Sequence, residues 1–334
     1  MASLNPALYD HPGREGVRRR QVANILHAAL QAVDPKAAVL RHTECRNGSL
    51  RVGAMSYDLS AYRRVLVVGA GKAGAPMVQA VEELLGDRIA AGHVNVKYGY
   101  SAPAAHVILG EAGHPIPDEA GVAGARAIAA LLEGADADDL VICLISGGGS
   151  ALMTLPVVGV SLGDLKALTD ALLRRAATIN EINTIRKHLD RLKGGNLARL
   201  AHPARVISLL LSDVVGNPLD VIASGPTVPD TSTFADAWRL LERYDLVDEA
   251  PPSIVTHLRR GVEGEIADTP KPGDPILKRT QNLIVASNDL AARAAAEAAA
   301  SEGFNPLLLS TFVEGEAREV AKVLAAVGRE VLAS

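Results

Sequence analysis

Apolar and polar positions along this chain follow two rhythms, and the switches between them lay out an α/β protein. Short unbroken apolar runs at 65–69 (VLVVG), 140–145 (LVICLI) and 205–211 (RVISLLL) are too short for helices and read as strands buried on both faces. Residues 93–98 read as a further strand. Elsewhere apolar residues recur every three or four positions, as amphipathic helices require. This holds for 14–34, for KAGAPMVQAVEELLG after the first strand, for 118–133 with Asp118 as its N-cap, and for most of 161–200. Strands alternating with helices imply right-handed βαβ crossovers and a parallel sheet. The expected fold is α/β: a Rossmann-like parallel sheet flanked by helices.

The rhythm breaks between about 248 and 275, where PPS, GVEGE and TPKPGDP are turn-rich. An expected strand at 283–287 (LIVAS), an alanine-rich helix at 288–302, an expected strand at 306–310 (PLLLS) and a helix over about 315–332 follow. On this pattern residues 1–250 form the Rossmann-like domain with the anion-binding loops. Residues 251–334 form a linker and the first half of a second, incomplete α/β domain. Two strands and two helices bury too little surface to stand alone. The edge of so small a sheet invites pairing, which a homodimer or a domain swap would satisfy.

Composition narrows the functional classes. Apolar residues at 48% against 22% charged support a packed core, and aromatics at only 3% mean that Ala, Val, Leu and Ile build it. A net charge of −4 gives no global basic field to draw nucleic acid. Cys45 and Cys143 are too few for a disulfide framework and fit a reducing cytosol, with Cys143 as a small core residue. No run of about 18 apolar residues predicts a membrane span. The opening MASLNPALYDHPGREGVRRR, with early acids and no apolar core, does not read as a signal peptide. The expectation is a cytoplasmic protein whose anion sites are local.

Each buried strand ends in a loop that carries chemistry. Gly69-Ala70-Gly71-Lys72-Ala73-Gly74 matches G-x-G-x-x-G between a strand and a helix. A dinucleotide site also needs an acid about 20 residues on, at the end of the second strand, to bind ribose. Here that strand, HVNVKYGY, carries Lys97. Lys72 adds full positive charge where a helix N-terminus already favours an anion. An anion or substrate site with Lys72 as its cation, an NAD(P) site and a structural turn all remain open. In Ser146-Gly147-Gly148-Gly149-Ser150, three glycines let backbone N–H groups converge on an anion and two serines add hydroxyls. The alternative is a flexible turn.

Asn183 and Arg186 share a face of the expected helix, and Lys193, seven residues past Arg186, lies near it. A solvated helix face is the plain alternative. Asp213, in Ser212-Asp213-Val214-Val215-Gly216-Asn217, is placed to ligate Mg2+ or accept a hydroxyl proton, or else to cap a turn; Asn217 is on the same loop. Ser224 and Thr227 offer two hydroxyls for phosphate or metal contact. His114 sits in the proline-rich turn GHPIP. No Walker A, H-R-D or D-F-G motif and no zinc spacing is present.

Taken together, VVGAGKAGAPM, GHPIPDEAG, LISGGGSALM, INTIRKHLDRLKGGNLA and LLLSDVVGNPLDVIASGPTVPD resemble, in order and spacing, the class II glycerate kinases, some of which are labelled hydroxypyruvate reductase. The resemblance runs from about residue 15 to the end. It implies a two-domain α/β protein with its site in the interdomain cleft. The implied reaction is ATP-dependent phosphorylation of D-glycerate at its 2-hydroxyl with Mg2+, within serine and glyoxylate metabolism. Lys72 matches the lysine thought catalytic, Asp213 the nearby acid and the SGGGS loop the anion-binding loop. Gly71, His114, Asn217, Ser224 and Thr227 join them as expected substrate or phosphate contacts, and Arg186 and Lys193 as clamps on the acid. Family members continue into a segment with a G-G-E-T-T-V-like strand, a G-G-R-N-x-E helix start and a late T-D-G, none of which occurs in these 334 residues. One wall of the cleft, including an arginine that resembles a transition-state stabiliser, is therefore expected to be missing. Two other functional classes stay open: an NAD(P)H-dependent hydroxypyruvate reductase and a non-catalytic ligand-binding remnant.

Overall fold

The computed structural model describes residues 12–333, so residues 1–11 of the opening stretch read for a signal peptide lie outside the described residues. Near the N-terminus β1 (Thr43–Arg46), β2 (Ser49–Val52) and β3 (Met55–Asp58) make a small antiparallel sheet. The main sheet has six strands: β4 (Arg64–Ala70), β5 (Ile89–Lys97), β6 (Ile108–Ala112), β7 (Asp139–Ile145), β8 (Arg205–Leu211) and β9 (Thr280–Ala286). Their spatial order is β6-β5-β4-β7-β8-β9, and every neighbouring pair is parallel. The chain enters at the centre, builds outward to β6, then crosses back to lay β7, β8 and β9 on the other side. This is the doubly wound order expected of a Rossmann-like sheet. The direction of winding reverses between β4 and β7, so their following loops diverge and leave a crevice at the carboxyl end of the sheet.

The apolar runs are strands because both their faces are covered. Val65 and Val67 of β4 and Leu140, Ile142 and Leu144 of β7 pack under helices 35–42 and 74–85. Leu66, Val68, Val141, Cys143 and Ile145 pack under helix 119–133 through Val122, Ala125, Ile128 and Leu132. Burial pushes the Cys143 thiol up to about 12, so it is an inert core residue. A third cluster lies between helices: Leu168, Leu172, Ile185, Phe234, Leu241 and Leu258 join helices 162–174, 179–188, 234–243 and 252–262. Three of these helices open with reciprocal capping boxes, Ser161/Asp164, Thr178/Glu181 and Thr233/Asp236. Asp118 caps helix 119–133 by accepting from the Gly121 N–H at 2.9 Å. No described helix is long and apolar enough to cross a membrane.

The C-terminal region departs from expectation. The strand expected to open a second sheet is β9, which pairs with β8 from Val206↔Thr280 onward and completes the first sheet. The open edge of β8 offers a full ladder of hydrogen bonds, which an isolated two-stranded sheet cannot match. Thr227 and Asn282 fasten β9 further, side chain to side chain at 2.6 Å. Helix 288–301 packs on helix 13–32, with Gln21 and Asn24 both bonded to Glu302. PLLLS at 306–310 is not a strand. It pairs with no neighbour, and Leu307 and Leu309 are exposed. Helix 317–333 follows with no buried residue.

Asp139, at the start of β7, has no side-chain exposure and accepts from Arg63, Arg64 and the Asp136 N–H. Burial alone would raise its pKa, but the hydrogen bonds from Arg64, Arg63 and Asp136 outweigh it and hold the carboxyl down to about 2. A depressed carboxylate adds stability above its unfolded value of about 3.9 and loses it as pH falls toward the folded value. Asp139→Asn should therefore cost about 2 kcal/mol at pH 7, the exposure of both arginines holding the figure down. Urea unfolding should show the gap to wild type closing between about pH 5 and pH 2; a gap that does not change with pH would contradict this origin.

Candidate active site

Three loops leave the carboxyl ends of β4, β7 and β8 and meet at the crevice. Their approach is set by missing side chains. A Cβ on Gly71 would lie 2.0 Å from Ser146 Oγ and 2.7 Å from the Ser146 N, and one on Gly147 would lie 2.2 Å from Asp213 Oδ2. Gly71 has φ +152, a conformation L side chains rarely adopt. The loops are thus in direct contact, and the contact brings Lys72 Nζ to 3.9 Å from Asp213 Oδ2, both side chains reaching solvent.

The two glycine-rich loops spend their amides differently. In the β4 loop, Gly71 N–H donates to Asn95 O (3.0 Å), Lys72 N–H to Gly147 O (2.9 Å) and Gly74 N–H to Gly71 O (3.0 Å). Ala73 N–H donates to Ser146 Oγ at 3.0 Å. The G-x-G-x-x-G loop therefore has no amide left at these positions to cradle a pyrophosphate, and what it offers a ligand is the Lys72 ammonium. This corrects the expectation for Gly71, whose role is close approach, and it removes the main support for an NAD(P) site. In the β7 loop Ser146 N–H and Gly149 N–H are bonded, but Gly147 N–H and Gly148 N–H have no protein acceptor among the described residues. Two adjacent free amides beside a lysine are the arrangement that an anion site requires. His114 borders Gly148, within about 3 Å of where a Cβ would sit. Burial, Lys72 and Lys97 push the imidazole pKa down against Asp213, which favours the neutral ring.

From this crevice a cavity of about 460 Å³ runs toward the helical layer. It is lined by His114, the whole 146–150 loop and Asp213, and by Asn183 and Arg186 of helix 179–188 and Thr169 of helix 162–174. Ser150 Oγ and Ser224 Oγ lie 3.0 Å apart, and Ser224 Oγ donates to Asn183 Oδ1 at 3.2 Å, so Ser224 is a buried link between loop and helix. Burial lowers the Arg186 pKa while Asp190 opposes it, and Arg186 makes no ion pair among the described residues. Its only side-chain bond among the described residues is a long one, 3.4 Å to Thr169 Oγ1.

Lys193 is placed differently from the expectation. Helix 179–188 ends before it, and Lys193 lies fully buried in the following turn. Its ammonium pairs with Asp190 at 2.5 Å and donates to Met153 O (3.0 Å) and Thr154 Oγ1 (3.3 Å). All three donors are used, so none remains to clamp an acid. The pair instead braces the far end of the short helix that begins in the SGGGS loop. Thr227 is likewise engaged, with Asn282, and lies away from the cavity. Asn217 does not line the cavity; its Oδ1 is buried without a hydrogen-bond partner. Asp190 and Asn95 were missed. Asp190 sits three residues before Lys193, a spacing that could have revealed the pair. Asn95 donates to Gly121 O and Leu152 O and has its own carbonyl on Gly71, and a lone Asn inside a strand gives no such signal. Among the described residues no group of three or more His, Cys, Asp or Glu could hold a metal.

Known proteins agree with this architecture. Residues 21–259 match the model of a family described as a domain of unknown function, DUF4147. The chain is 40% identical over 303 residues to a glycerate 2-kinase of Pyrococcus horikoshii, covering 91% of this chain and 67% of that protein. It is 40% identical over 269 residues to a D-glycerate 2-kinase of Thermotoga maritima, covering 80% of this chain and 61% of that protein. The chain thus spans about two thirds of the length of these relatives. The crystal structure of a Thermotoga maritima glycerate kinase superposes with a TM-score of 0.78 at 36% identity, over 93% of this chain and 69% of that one. The chain belongs to the DUF4147 family, that of the glycerate kinases.

Proposed function

We propose that this chain is an ATP-dependent D-glycerate 2-kinase. The observation that carries the reading is the pair of free amides at Gly147 and Gly148 beside the Lys72 ammonium and the Asp213 carboxylate. Phosphoryl transfer needs positioning and charge neutralisation more than covalent help. The amides and Lys72 hold the oxygens of the transferred phosphoryl group as its charge shifts. Asp213 orients the 2-hydroxyl of glycerate and takes its proton. The hydroxyl oxygen bonds to the γ-phosphorus, the bond from that phosphorus to the bridging oxygen breaks, and ADP and 2-phosphoglycerate leave. Arg186 holds an anionic group of the bound reactants. His114, in its favoured neutral form, adds a hydrogen bond in the same cavity.

Mg2+ fits the donors at hand. It keeps near-octahedral oxygen ligands and is usually held by one or two carboxylates together with substrate phosphates. Asp213 would supply one carboxylate, and the substrate phosphates would supply further oxygens. When bound, the ion would neutralise phosphate charge. A cytoplasmic setting fits two cysteines with no disulfide between them. The apolar side chains left exposed along 305–332 support a homodimer, and a single monomeric species in gel filtration would count against one.

With ATP and D-glycerate the chain should release ADP, followed by a coupled assay. Lys72→Ala should lower kcat by at least about 10²-fold, on the worth of one charge-stabilising donor. Because the Lys72 side chain is partly exposed and its one ion pair is long, at 3.9 Å, thermal stability should stay near wild type; near-normal kcat would sink the lysine's role. Gly147→Ala places its methyl against the mobile end of Asp213 rather than against backbone. It should cost at least about tenfold in kcat with a small change in stability, since only the carboxylate has to move. Unchanged turnover would mean that Asp213 is not held at this position for the reaction.

A further inference from the structure

The cavity is larger than D-glycerate needs, and part of its lining has the wrong chemistry for it. At about 460 Å³ it falls in the range of about 300–1,000 Å³ that takes drug-sized ligands. A three-carbon acid made of hydroxyl and carboxylate groups has no apolar face to set against aliphatic walls. Leu165 and Leu173, eight residues apart on helix 162–174, line the cavity together with Lys166 and Asp170 of the same helix and with Ile179 at the start of helix 179–188. Leu173 is 58% exposed and Ile179 59%, so two large aliphatic side chains stand at the mouth without a partner. The same cavity is lined by Arg186, a largely desolvated cation that makes no ion pair among the described residues, and by the SGGGS loop. One cavity thus combines aliphatic walls, a cation and free amides. That combination suits a molecule with a flat apolar head and a polyanionic tail.

We infer that the groove between helices 162–174 and 179–188 is the nucleoside pocket. The purine lies against Leu165, Leu173 and Ile179, Arg186 contacts the phosphate chain, and the terminal phosphate reaches the Gly147 and Gly148 amides. The inference rests on the kinase reading for the identity of the ligand. It leaves the Lys72–Asp213 end of the crevice to the acid, and it gives Arg186 to the nucleotide instead of the glycerate carboxylate. Asn183 and Thr169, lining the same cavity, are then within the part of the pocket that meets the ribose and phosphates.

The test uses the full chain and a Leu173→Gln, Ile179→Gln double variant. Both positions are exposed, so the variant should unfold at nearly the wild-type temperature. Isothermal titration would be run with ADP, inorganic pyrophosphate and D-glycerate. The wild type should bind ADP more tightly than pyrophosphate. The variant should lose at least about tenfold in ADP affinity, the scale expected when two aliphatic contacts with a base are removed. Pyrophosphate and D-glycerate affinities should stay within about twofold. Equal ADP affinity in both proteins would overturn the pocket. So would a matching loss for D-glycerate, or a wild type that does not bind ADP. Binding is read without turnover, so the two claims separate. A wild type that shows this ADP pattern but forms no ADP from ATP and D-glycerate would refute the glycerate reading and leave the pocket standing.

Discussion

Everything at the site depends on how closely the loops after β4 and β7 approach each other. The reversal of winding between these two central strands opens the crevice, and the absent side chains at Gly71 and Gly147 then let the loops touch across it. The contact has a chemical consequence. By bonding to Ser146 Oγ and Gly147 O, the β4 loop uses up its own amides and leaves those of Gly147 and Gly148 free. One loop therefore serves as buttress and contributes a lysine, while the other serves as cradle. A fingerprint that reads as a dinucleotide site in the sequence is here a buttress whose amides are bonded within the protein.

The bracing behind the cradle is ionic and buried. Lys193 and Asp190 lie in the interior, where an ion pair persists only if its hydrogen bonds are all made. Asp190 accepts from Leu155 N–H, Leu192 N–H and Lys193 N–H, and Lys193 donates to Met153 and Thr154. Met153 and Thr154 directly follow the short helix 149–152, so the pair fixes the end of the helix whose start is the cradle. Ser224 adds a second tie. It holds a positive φ of +60, next to Ala223 at +50, in a turn that carries its hydroxyl between Ser150 and Asn183. Strained backbone at such a point is kept because the surrounding contacts over-determine it.

The buried strands were legible because their periodicity and their burial say the same thing. The run at 205–211 coincides with β8, and those at 65–69 and 140–145 sit within β4 and β7. The Asp118 cap was legible as well, since an N-cap is a local interaction. What escaped the sequence is long-range. Nothing in LIVAS says whether it starts a new sheet or finishes an old one; the open edge of β8 decides that. PLLLS has strand composition but no edge to pair with. Among the expected site residues, His114, Asp213, Arg186, Lys193 and the SGGGS loop line one cavity, and Lys72 reaches Asp213 at its rim. Lys193 is there with its ammonium already held by Asp190, and Thr227 lies outside with Asn282, because a side chain's type does not reveal that a partner has already taken it.

The central claim is that Gly147 and Gly148, and not the β4 loop, present amides to phosphate. The most direct measurement is nuclear magnetic resonance on the chain labelled with ¹⁵N at glycine, lysine and alanine, titrated with a non-hydrolysable ATP analogue. The Gly147 and Gly148 amide signals should move with saturation, while those of Gly71, Lys72 and Ala73 shift much less because their hydrogen bonds are already made. The reverse pattern, with the β4-loop amides moving and Gly147 and Gly148 still, would contradict the account.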